Sequence, residues 1–255
     1  MPRFFVQAEQ ISDGYVFIKG DDAHHISHSL RMAQGEHITV CDMQMYEYEC
    51  VLDSFSSDSV GAKVVERKKI DTEPPYKAHL YQALPKGDKL DSVIQKAVEC
   101  GVYDITPFES SRCIVRAKPE AEEKKTERRS RIAAEAAKQS GRGILPAVYP
   151  TVSFSQMLDR ISHADVILFC YEGDGTLPLG KALTGALRPI YEADRSACPD
   201  IAVIIGSEGG FSLDEVEKAR NVGAVPIGLG RRILRTETAS GFVLSCLVYE
   251  TELSF

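Results

Sequence analysis

The pattern that most constrains the fold is an alternation of apolar, strand-like runs with helix-like segments, which begins near residue 76. It continues to the end of the chain, and the spacing of apolar residues distinguishes the two kinds of segment. Strands that alternate with helices favour a mainly parallel sheet covered on both faces. The predicted strands are AHLYQALP, YDITPFES, ADVILFCYE, DIAVIIGSEGG and AVPIGLG.

Four segments between and after these strands are predicted as helices. In KLDSVIQKAVECG, apolar residues recur at helical spacing, and Gly101 ends the helix. In SLDEVEKARNVG, Ser212 and Glu215 stand at the spacing of a capping box. The other two predicted helices are ERRSRIAAEAAKQSGRG and TASGFVLSCLVYETE.

The first part of the chain has a different character. Short β-like pieces such as GYVFIKG and YEYECVLDSF are separated by turn-forming residues, which is typical of a small β-barrel or sandwich. The charged, proline-containing run RKKIDTEPPYK is predicted as a linker. The sequence therefore predicts a β domain at residues 1–70 and an α/β domain at residues 75–255.

Composition narrows the class of protein. The 44% of hydrophobic residues and 26% of charged residues are ordinary for a soluble globular chain. No run approaches the roughly 20 apolar residues of a membrane span, and the first residues do not resemble a signal peptide. Seven scattered cysteines without a CxxC pair argue against a disulfide framework or zinc site and favour the reducing cytoplasm. We interpret His24 and His25 as turn or core residues, because they stand in no metal-ligand motif, and we expect no metal.

Charge is distributed unevenly along the chain. The formal net charge is −7, yet residues 112–142 carry a local balance of +5. A basic segment on an acidic body is consistent with a localised site for a polyanion such as RNA. A solvated helix of mixed charge has the same composition, and the charge pattern alone leaves both interpretations open.

Three successive strand ends carry glycines and charged residues: LFCYEGDG, IIGSEGGFS and IGLGRRILRTETAS. Ligands bind beyond the carboxyl ends of strands in open α/β sheets, and glycine lets a backbone approach a ligand closely. Neither a Walker A loop nor a complete dinucleotide-binding fingerprint is present. Each loop alone is typical of a tight turn, but three together indicate a ligand site. We single out Arg235 and Glu208 there, although a surface ion pair and a turn would also explain them.

The motifs IIGSEGGFSLDEVEKA and IGLGRRILRTETAS together resemble the C-terminal signature of the ribosomal RNA small subunit methyltransferase E family, which methylates N3 of a uridine in 16S ribosomal RNA. The segments ALPKGDKLDSVIQKAVECGV, ERRSRIAAEAAKQSGR and HHISHSLRMAQGE resemble other parts of that family, so the resemblance covers nearly the whole chain. Ser207 stands where proline is usual in the family, an exchange that a backbone turn tolerates.

The resemblance implies a SPOUT-type parallel sheet with a C-terminal trefoil knot, preceded by a small PUA-like β-barrel that binds RNA. It also implies S-adenosyl-L-methionine as methyl donor, 16S ribosomal RNA or the small ribosomal subunit as partner, and a homodimer with its site near the subunit interface. The residues expected to hold the cofactor are Gly206, Ser207, Gly209, Leu229, Gly230, Ile233, Leu234 and Thr236.

The expected chemistry gives Arg235 a catalytic role. Loss of the N3 proton spreads negative charge over the uracil ring, and a guanidinium that stays charged can stabilise it. Glu208 is a candidate proton acceptor or an orienter of Arg235, and the sequence does not distinguish these roles.

The expected RNA contacts follow from the same interpretation. N3 lies on the Watson–Crick edge, so the target base must be unpaired or flipped out. Two other classes of function stay open: a methyltransferase of the same fold that acts on another RNA atom, such as a ribose 2′-hydroxyl, and a non-catalytic RNA-binding or assembly protein. The residues expected to contact RNA are Arg3, Arg31, Arg112, Arg116, Arg128, Arg129 and Arg142, together with Lys124, Lys125 and Arg131.

Overall fold

A computed structural model of the chain describes residues 1–253 and divides into two compact units. The first unit comprises Met1–Glu73 and Ala137–Leu145, and the second comprises Pro74–Ala136 and Pro146–Phe255. The last two residues of the predicted α/β domain therefore lie outside the described residues. The first unit takes in residues 137–145, which the sequence pattern assigns to the α/β domain.

Contacts within the first unit explain why residues 137–145 belong to it. The Arg142 guanidinium is buried and lies 2.6 Å from the Glu73 carboxylate, which also accepts the Gly143 N–H at 2.8 Å. A Cβ at Gly143 would lie 2.2 Å from the Ile70 side chain, so only glycine allows this close approach.

Six strands of the first unit form one mixed sheet in the order β1-β4-β5-β6-β3-β2. The β1–β4 pair is parallel and the remaining pairs are antiparallel. Buried residues alternate along β3 and part of β5, so one face of the sheet builds the core of this unit. The strands are β1 (Arg3–Phe5), β2 (Ile11–Ser12), β3 (Tyr15–Lys19), β4 (His37–Cys41), β5 (Tyr46–Phe55) and β6 (Ser59–Lys69).

A short helical segment follows β3, and it corrects the interpretation of the histidines. It consists of α1 (Gly20–His24) and a π-helical turn (His25–Ser29). His24 and His25 are exposed on this segment rather than in a turn or the core, and the His24 and His28 rings stack at 4.2 Å. Within residues 1–253, no group of three or more His, Cys, Asp or Glu side chains could hold a metal ion.

The second unit contains an eight-stranded sheet in which every strand pair is parallel. The order is β10-β8-β7-β13-β11-β14-β12, and β9 pairs with β8. All five predicted strands are present, and the three two-residue strands were not predicted. The strands are β7 (Lys77–Ala83), β8 (Asp104–Glu109), β9 (Ala147–Val148), β10 (Val152–Ser153), β11 (Val166–Cys170), β12 (Leu177–Pro178), β13 (Asp200–Ile205) and β14 (Val225–Gly228).

Helices connect these strands, and the four predicted ones are present. The apolar stripe of α2 is buried as predicted, and the Ser212–Glu215 capping box begins α6. Helices α4 and α5 were not predicted. The helices are α2 (Lys89–Glu99), α3 (Pro119–Ser140), α4 (Phe154–Ile161), α5 (Leu179–Ala193), α6 (Leu213–Asn221) and α7 (Thr236–Val248), which a π-helical turn (Tyr249–Leu253) extends.

No helix in residues 1–253 has the length and apolar character needed to cross a membrane. All seven cysteines are free thiols. The trefoil knot stays a prediction from the family resemblance.

Candidate active site

A cavity of about 770 Å³ lies at the carboxyl edge of the parallel sheet. The loops after β11, β13 and β14 line it, together with the first residues of α2 and α7. This volume is typical of pockets that bind small-molecule ligands. Its position is also the one at which open α/β sheets bind ligands, so we treat it as the candidate active site.

The loop after β13, residues 206–210, presents main chain to the cavity. The Gly210 N–H donates to the Ser207 carbonyl at 2.9 Å, which closes the loop on itself. Gly210 has a φ of +63°, in the left-handed region that favours glycine. The Ser207 hydroxyl is buried and has no hydrogen-bond partner among the described residues.

The loop after β14, residues 229–235, forms the opposite wall. Gly230 has a φ of +105°, and a Cβ built there would meet nothing within 4 Å. Leu229 and Leu234 are half-buried in the same wall, whereas Ile233 is exposed. This loop therefore offers both main-chain and apolar groups to a ligand.

Hydrogen bonds tie the base of the cavity together across three elements. The buried Gln82 side chain, near the end of β7, donates through Nε2 to the Thr236 hydroxyl at 2.8 Å. That hydroxyl in turn donates to the Gly206 carbonyl at 2.6 Å. Thr236 lines the cavity, but its hydroxyl is engaged in holding the start of α7 against the loop after β13.

An ionic cluster, which we call the lysine bridge, borders the cavity. It comprises Lys89, Glu208, Glu237 and Arg235. Lys89 Nζ lies 2.7 Å from Glu208 Oε1 and 3.5 Å from Glu237 Oε2, and Arg235 Nη1 lies 4.0 Å from Glu237 Oε1. Burial opposes ionisation of Glu208, but hydrogen bonds from Lys89 and from backbone N–H groups outweigh it and lower the pKa of Glu208.

The lysine bridge changes the expected role of Glu208. Its carboxylate accepts from Lys89 and from the Lys86 N–H, and the carboxylate found beside Arg235 is that of Glu237. A carboxyl with a lowered pKa is a weaker proton acceptor. The geometry therefore supports neither role that the sequence suggested for Glu208.

Every residue predicted to hold the cofactor lines this one cavity, and so do Arg235 and Glu208. Arg235 is the most open member of the lysine bridge, with 82% of its side chain exposed. Arg112 also reaches the cavity wall, where it donates to the Gly209 carbonyl at 3.2 Å. Contact between these residues and a cofactor stays a prediction.

Two residues predicted to contact RNA are buried and do not fit that role. Arg129 is 6% exposed and pairs with Glu122 at 3.0 Å, and Arg142 is 3% exposed and pairs with Glu73. A guanidinium enclosed with its counter-charge is not available to a phosphate, so the prediction for both was wrong. Both residues have basic neighbours in the sequence, but the helical spacing of α3 places the Arg129 side chain on the buried face of the helix.

The other predicted RNA contacts are at least partly exposed. Arg128 pairs with Asp91 at 2.7 Å, and Arg116 donates to the Ser110 carbonyl at 3.0 Å. In the first unit, Arg3 pairs with Glu47 at 2.9 Å, and Arg31 is exposed with a φ of +54°.

Sequence reasoning missed Lys89, Glu237 and Gln82. Lys89 stands in the KGDK run directly after β7, and the resemblance had already marked that segment, so its position at a strand end was a usable signal. Glu237 lies two residues beyond Arg235, but nothing in the sequence shows that it faces Lys89. In the sequence, Gln82 is one polar residue within a predicted strand, and its hydrogen bond to Thr236 becomes visible only in the folded structure.

The cavity fits S-adenosylmethionine, which combines an aromatic adenine, a ribose and a zwitterionic amino acid. Leu229, Leu234 and Phe211 supply apolar wall, the two glycine-containing loops supply main-chain groups, and Glu172 supplies a carboxylate. Burial raises the pKa of the Cys170 thiol, so that part of the wall is neutral.

Comparisons with known proteins find relatives that match nearly the whole chain. A family model described as an RNA methyltransferase domain matches residues 72–248. A ribosomal RNA small subunit methyltransferase E from Bacillus subtilis (strain 168) is 36% identical over 256 residues, which cover 99% of this chain and 98% of the relative.

Solved structures show the same likeness. A ribosomal RNA small subunit methyltransferase E from Neisseria gonorrhoeae, bound to S-adenosyl methionine, is 29% identical with a TM-score of 0.81 and 98% coverage of each chain. A methyltransferase from Legionella pneumophila in complex with the bound cofactor SAM is 29% identical with a TM-score of 0.80 and 97% coverage of each chain.

Proposed function

The chain belongs to the ribosomal RNA small subunit methyltransferase E family, and on this basis we propose that it transfers a methyl group from S-adenosylmethionine to N3 of a uridine in 16S ribosomal RNA. The observation that carries the proposal is the cavity at the carboxyl edge of the sheet. The two family motifs form its glycine-containing walls, and the exposed Arg235 borders it.

S-adenosylmethionine supplies an electrophilic methyl group when it is bound. The residues of this chain that would hold it are those of the loop of residues 206–210 and the loop of residues 229–235, which line the cavity. Leu229, Leu234 and Phe211 would supply apolar contacts, and main-chain groups of the two loops would supply hydrogen bonds. Positioning of donor and acceptor in contact supplies much of the rate enhancement.

Arg235 acts on the acceptor. The N3 proton must leave before N3 becomes a good nucleophile, and its departure places negative charge on the uracil oxygens. The Arg235 guanidinium stabilises that negative charge electrostatically. Because Glu208 is held by Lys89 and has a lowered pKa, the N3 proton passes to solvent rather than to Glu208.

The protein works as a homodimer in the cytoplasm, where it acts on the small ribosomal subunit or its RNA. Helix α7 buries Val243, Leu244 and Leu247 within the chain, whereas Phe242, and Tyr249 in the π-helical turn that follows, are 40% and 62% exposed. Exposed aromatic side chains beside a buried apolar face are consistent with a subunit interface.

The test is mass spectrometry of 16S ribosomal RNA nucleosides from a deletion strain and its complemented parent. We expect one N3-methyluridine to disappear on deletion and to return when purified protein and S-adenosylmethionine are added to the mutant subunits. Loss of a 2′-O-methyl nucleoside instead would favour a methyltransferase of the same fold with another target atom. An unchanged nucleoside profile together with RNA binding would favour an assembly protein.

A further inference from the structure

Glu237 has an unusual environment for a carboxylate. It lies in the first turn of α7, and its side chain is 19% exposed. Its Oε2 atom is buried and accepts no hydrogen bond within residues 1–253. Enclosing a charge without a hydrogen bond is costly, so this carboxylate depends on the cations around it.

Two cations face Glu237 from different elements. Lys89, from the first turn of α2, lies 3.5 Å from Oε2, and Arg235 lies 4.0 Å from Oε1. Lys89 is committed more closely to Glu208, at 2.7 Å. Glu237 is therefore the carboxylate that is left for Arg235, while Glu208 holds Lys89.

Arg235 needs such a partner. Its backbone is fixed, because its carbonyl accepts from the N–H groups of Thr238 and Ala239 at 2.8 and 2.9 Å. Its side chain is 82% exposed and would otherwise sample many rotamers in solvent. A fixed negative charge in the first turn of α7 restricts the guanidinium to the edge of the cavity that Arg235 lines.

We propose that Glu237 is the positioning residue for Arg235, and that Lys89 fixes Glu237 in this role by bridging it to Glu208. The inference rests on the proposed methyl transfer. Glu237 touches neither the base nor the cofactor in this role, so it acts through Arg235.

The experiment is a double-mutant cycle with Glu237→Gln, Arg235→Ala and the double variant. Single-turnover methylation of unmodified small subunits is measured against pH, and S-adenosylmethionine affinity is measured by calorimetry. We expect Glu237→Gln to lower the rate roughly tenfold in the wild-type background and to have no further effect in the Arg235→Ala background, since residues that act together are non-additive. Cofactor affinity should stay within about twofold of wild type, and the rise of rate with pH should move to higher pH.

Glu172→Gln is the matched control, because Glu172 also lines the cavity but lies outside the lysine bridge. Its effect on the rate should be the same in both backgrounds. Equal rate losses for Glu237→Gln in both backgrounds, or the same non-additivity for Glu172→Gln, would overturn the inference. If Glu237→Gln does not fold, Glu237→Asp keeps the charge at a shorter reach and is tested in the same cycle.

The wild-type reaction separates this inference from the proposed function. If wild-type protein leaves the uridine unmethylated, the proposed function fails and the inference fails with it. If wild-type protein forms N3-methyluridine but the Glu237 and Arg235 effects add, the inference alone fails.

Discussion

Arg235 has a hydrogen-bonded backbone and a largely exposed side chain, so its side chain can be replaced without loss of the local structure. Its φ of −63° and ψ of 151° place it as the N-terminal flanking residue of α7. Within residues 1–253 the side chain makes one ion contact, with Glu237 at 4.0 Å, so its removal leaves the helix start intact.

We expect Arg235→Ala to lower single-turnover methylation roughly 10²–10³-fold, or about 3–4 kcal/mol, because one preorganised cation is lost opposite the developing charge. Arg235→Lys should recover little, since a point charge does not reproduce a planar guanidinium. Melting temperature and cofactor affinity serve as controls and should change little. Wild-type turnover by the alanine variant would show that Arg235 only braces the loop.

Gly230 is the residue that tests the cofactor site. Its φ of +105° disfavours any side chain, and a Cβ would point into open space at the cavity wall. Gly230→Val should therefore weaken S-adenosylmethionine binding more than tenfold, measured by calorimetry. Gly180→Val at an exposed helical position, where a Cβ also meets nothing within 4 Å, is the control for loss of glycine. Unchanged affinity in Gly230→Val would place the cofactor elsewhere.

Single residues were predictable from sequence where a local motif marks them. The glycines and Arg235 lie in two contiguous runs at strand ends, and the fold brings those runs to one cavity. Lys89 and Gln82 were missed because their partners lie far away along the chain: Lys89 and Glu208, for example, are 119 positions apart. Such pairs exist only after the sheet order is known.

At the scale of elements, α3 shows how a basic segment divides between two faces. Arg129, Ala133, Ala136 and Ala137 are buried, whereas Lys124 and Arg131 are exposed. The buried face belongs to the packing of the helix, and the exposed face is free to meet a polyanion. The charge of this segment therefore divides: Arg129 serves the packing of the helix, and only the exposed face of α3 is a candidate polyanion site.

The Lys124→Glu, Arg131→Glu double variant should weaken RNA binding and flatten the dependence of affinity on salt, because fewer counterions are released. Cofactor affinity should hold. Lys181→Glu, Arg188→Glu on exposed positions of α5 is the matched charge reversal. Equal loss of RNA affinity in both variants, by filter binding at several salt concentrations, would show that α3 has no special role.

Arg129→Ala should instead destabilise the fold by about 3–5 kcal/mol, because it leaves the Glu122 carboxylate without its arginine partner.

Most elements with a clear period or cap were predictable, and most of those without were not. The five long strands stand out as apolar runs, but β9, β10 and β12 have two residues each and carry no period. Helix α5 contains Pro189 and has no side-chain cap at Pro178, so its sequence resembles a loop. Helix α4 was missed although Ser153 and Gln156 form a capping box.

At the scale of the whole molecule, the exposed aromatic residues of α7 and of the π-helical turn after it predict the oligomeric state. Sedimentation equilibrium should give about twice the chain mass of 28.1 kDa. Phe242→Glu should shift the protein toward the monomer, whereas Phe17→Glu, also at an exposed aromatic residue, should not. A monomer at micromolar concentration in the wild type would contradict the prediction.

The stability of the molecule should depend on pH through His79. Its ring contacts Asp104 at 2.8 Å and Asp200 at 2.9 Å, which joins three neighbouring strands. Burial alone would lower the pKa of His79, but these hydrogen bonds outweigh it and raise the pKa above the usual 6.5. The protonated ring therefore stabilises the fold, fully below about pH 6.5 and progressively less as pH rises through the raised pKa.

His79→Gln should cost roughly 2 kcal/mol of unfolding free energy at pH 6, because hydrogen bonds to charged groups are lost. The difference from wild type should shrink as pH rises. Urea unfolding at a series of pH values measures it, and His163→Gln at an exposed position is the control. A difference that is independent of pH would mean that the ring is neutral throughout.

The central strand β13 has a consequence for amide hydrogen exchange. Residues 201–205 are all buried, and β7 and β11 pair with the strand on both sides. Such amides exchange only through the largest opening of a protein, so this strand should be the slowest to take up deuterium. The loop of residues 206–210 continues directly from it and has little pairing of its own. Ligand binding should therefore appear as new protection that begins abruptly at Gly206, next to amides that were already protected without ligand.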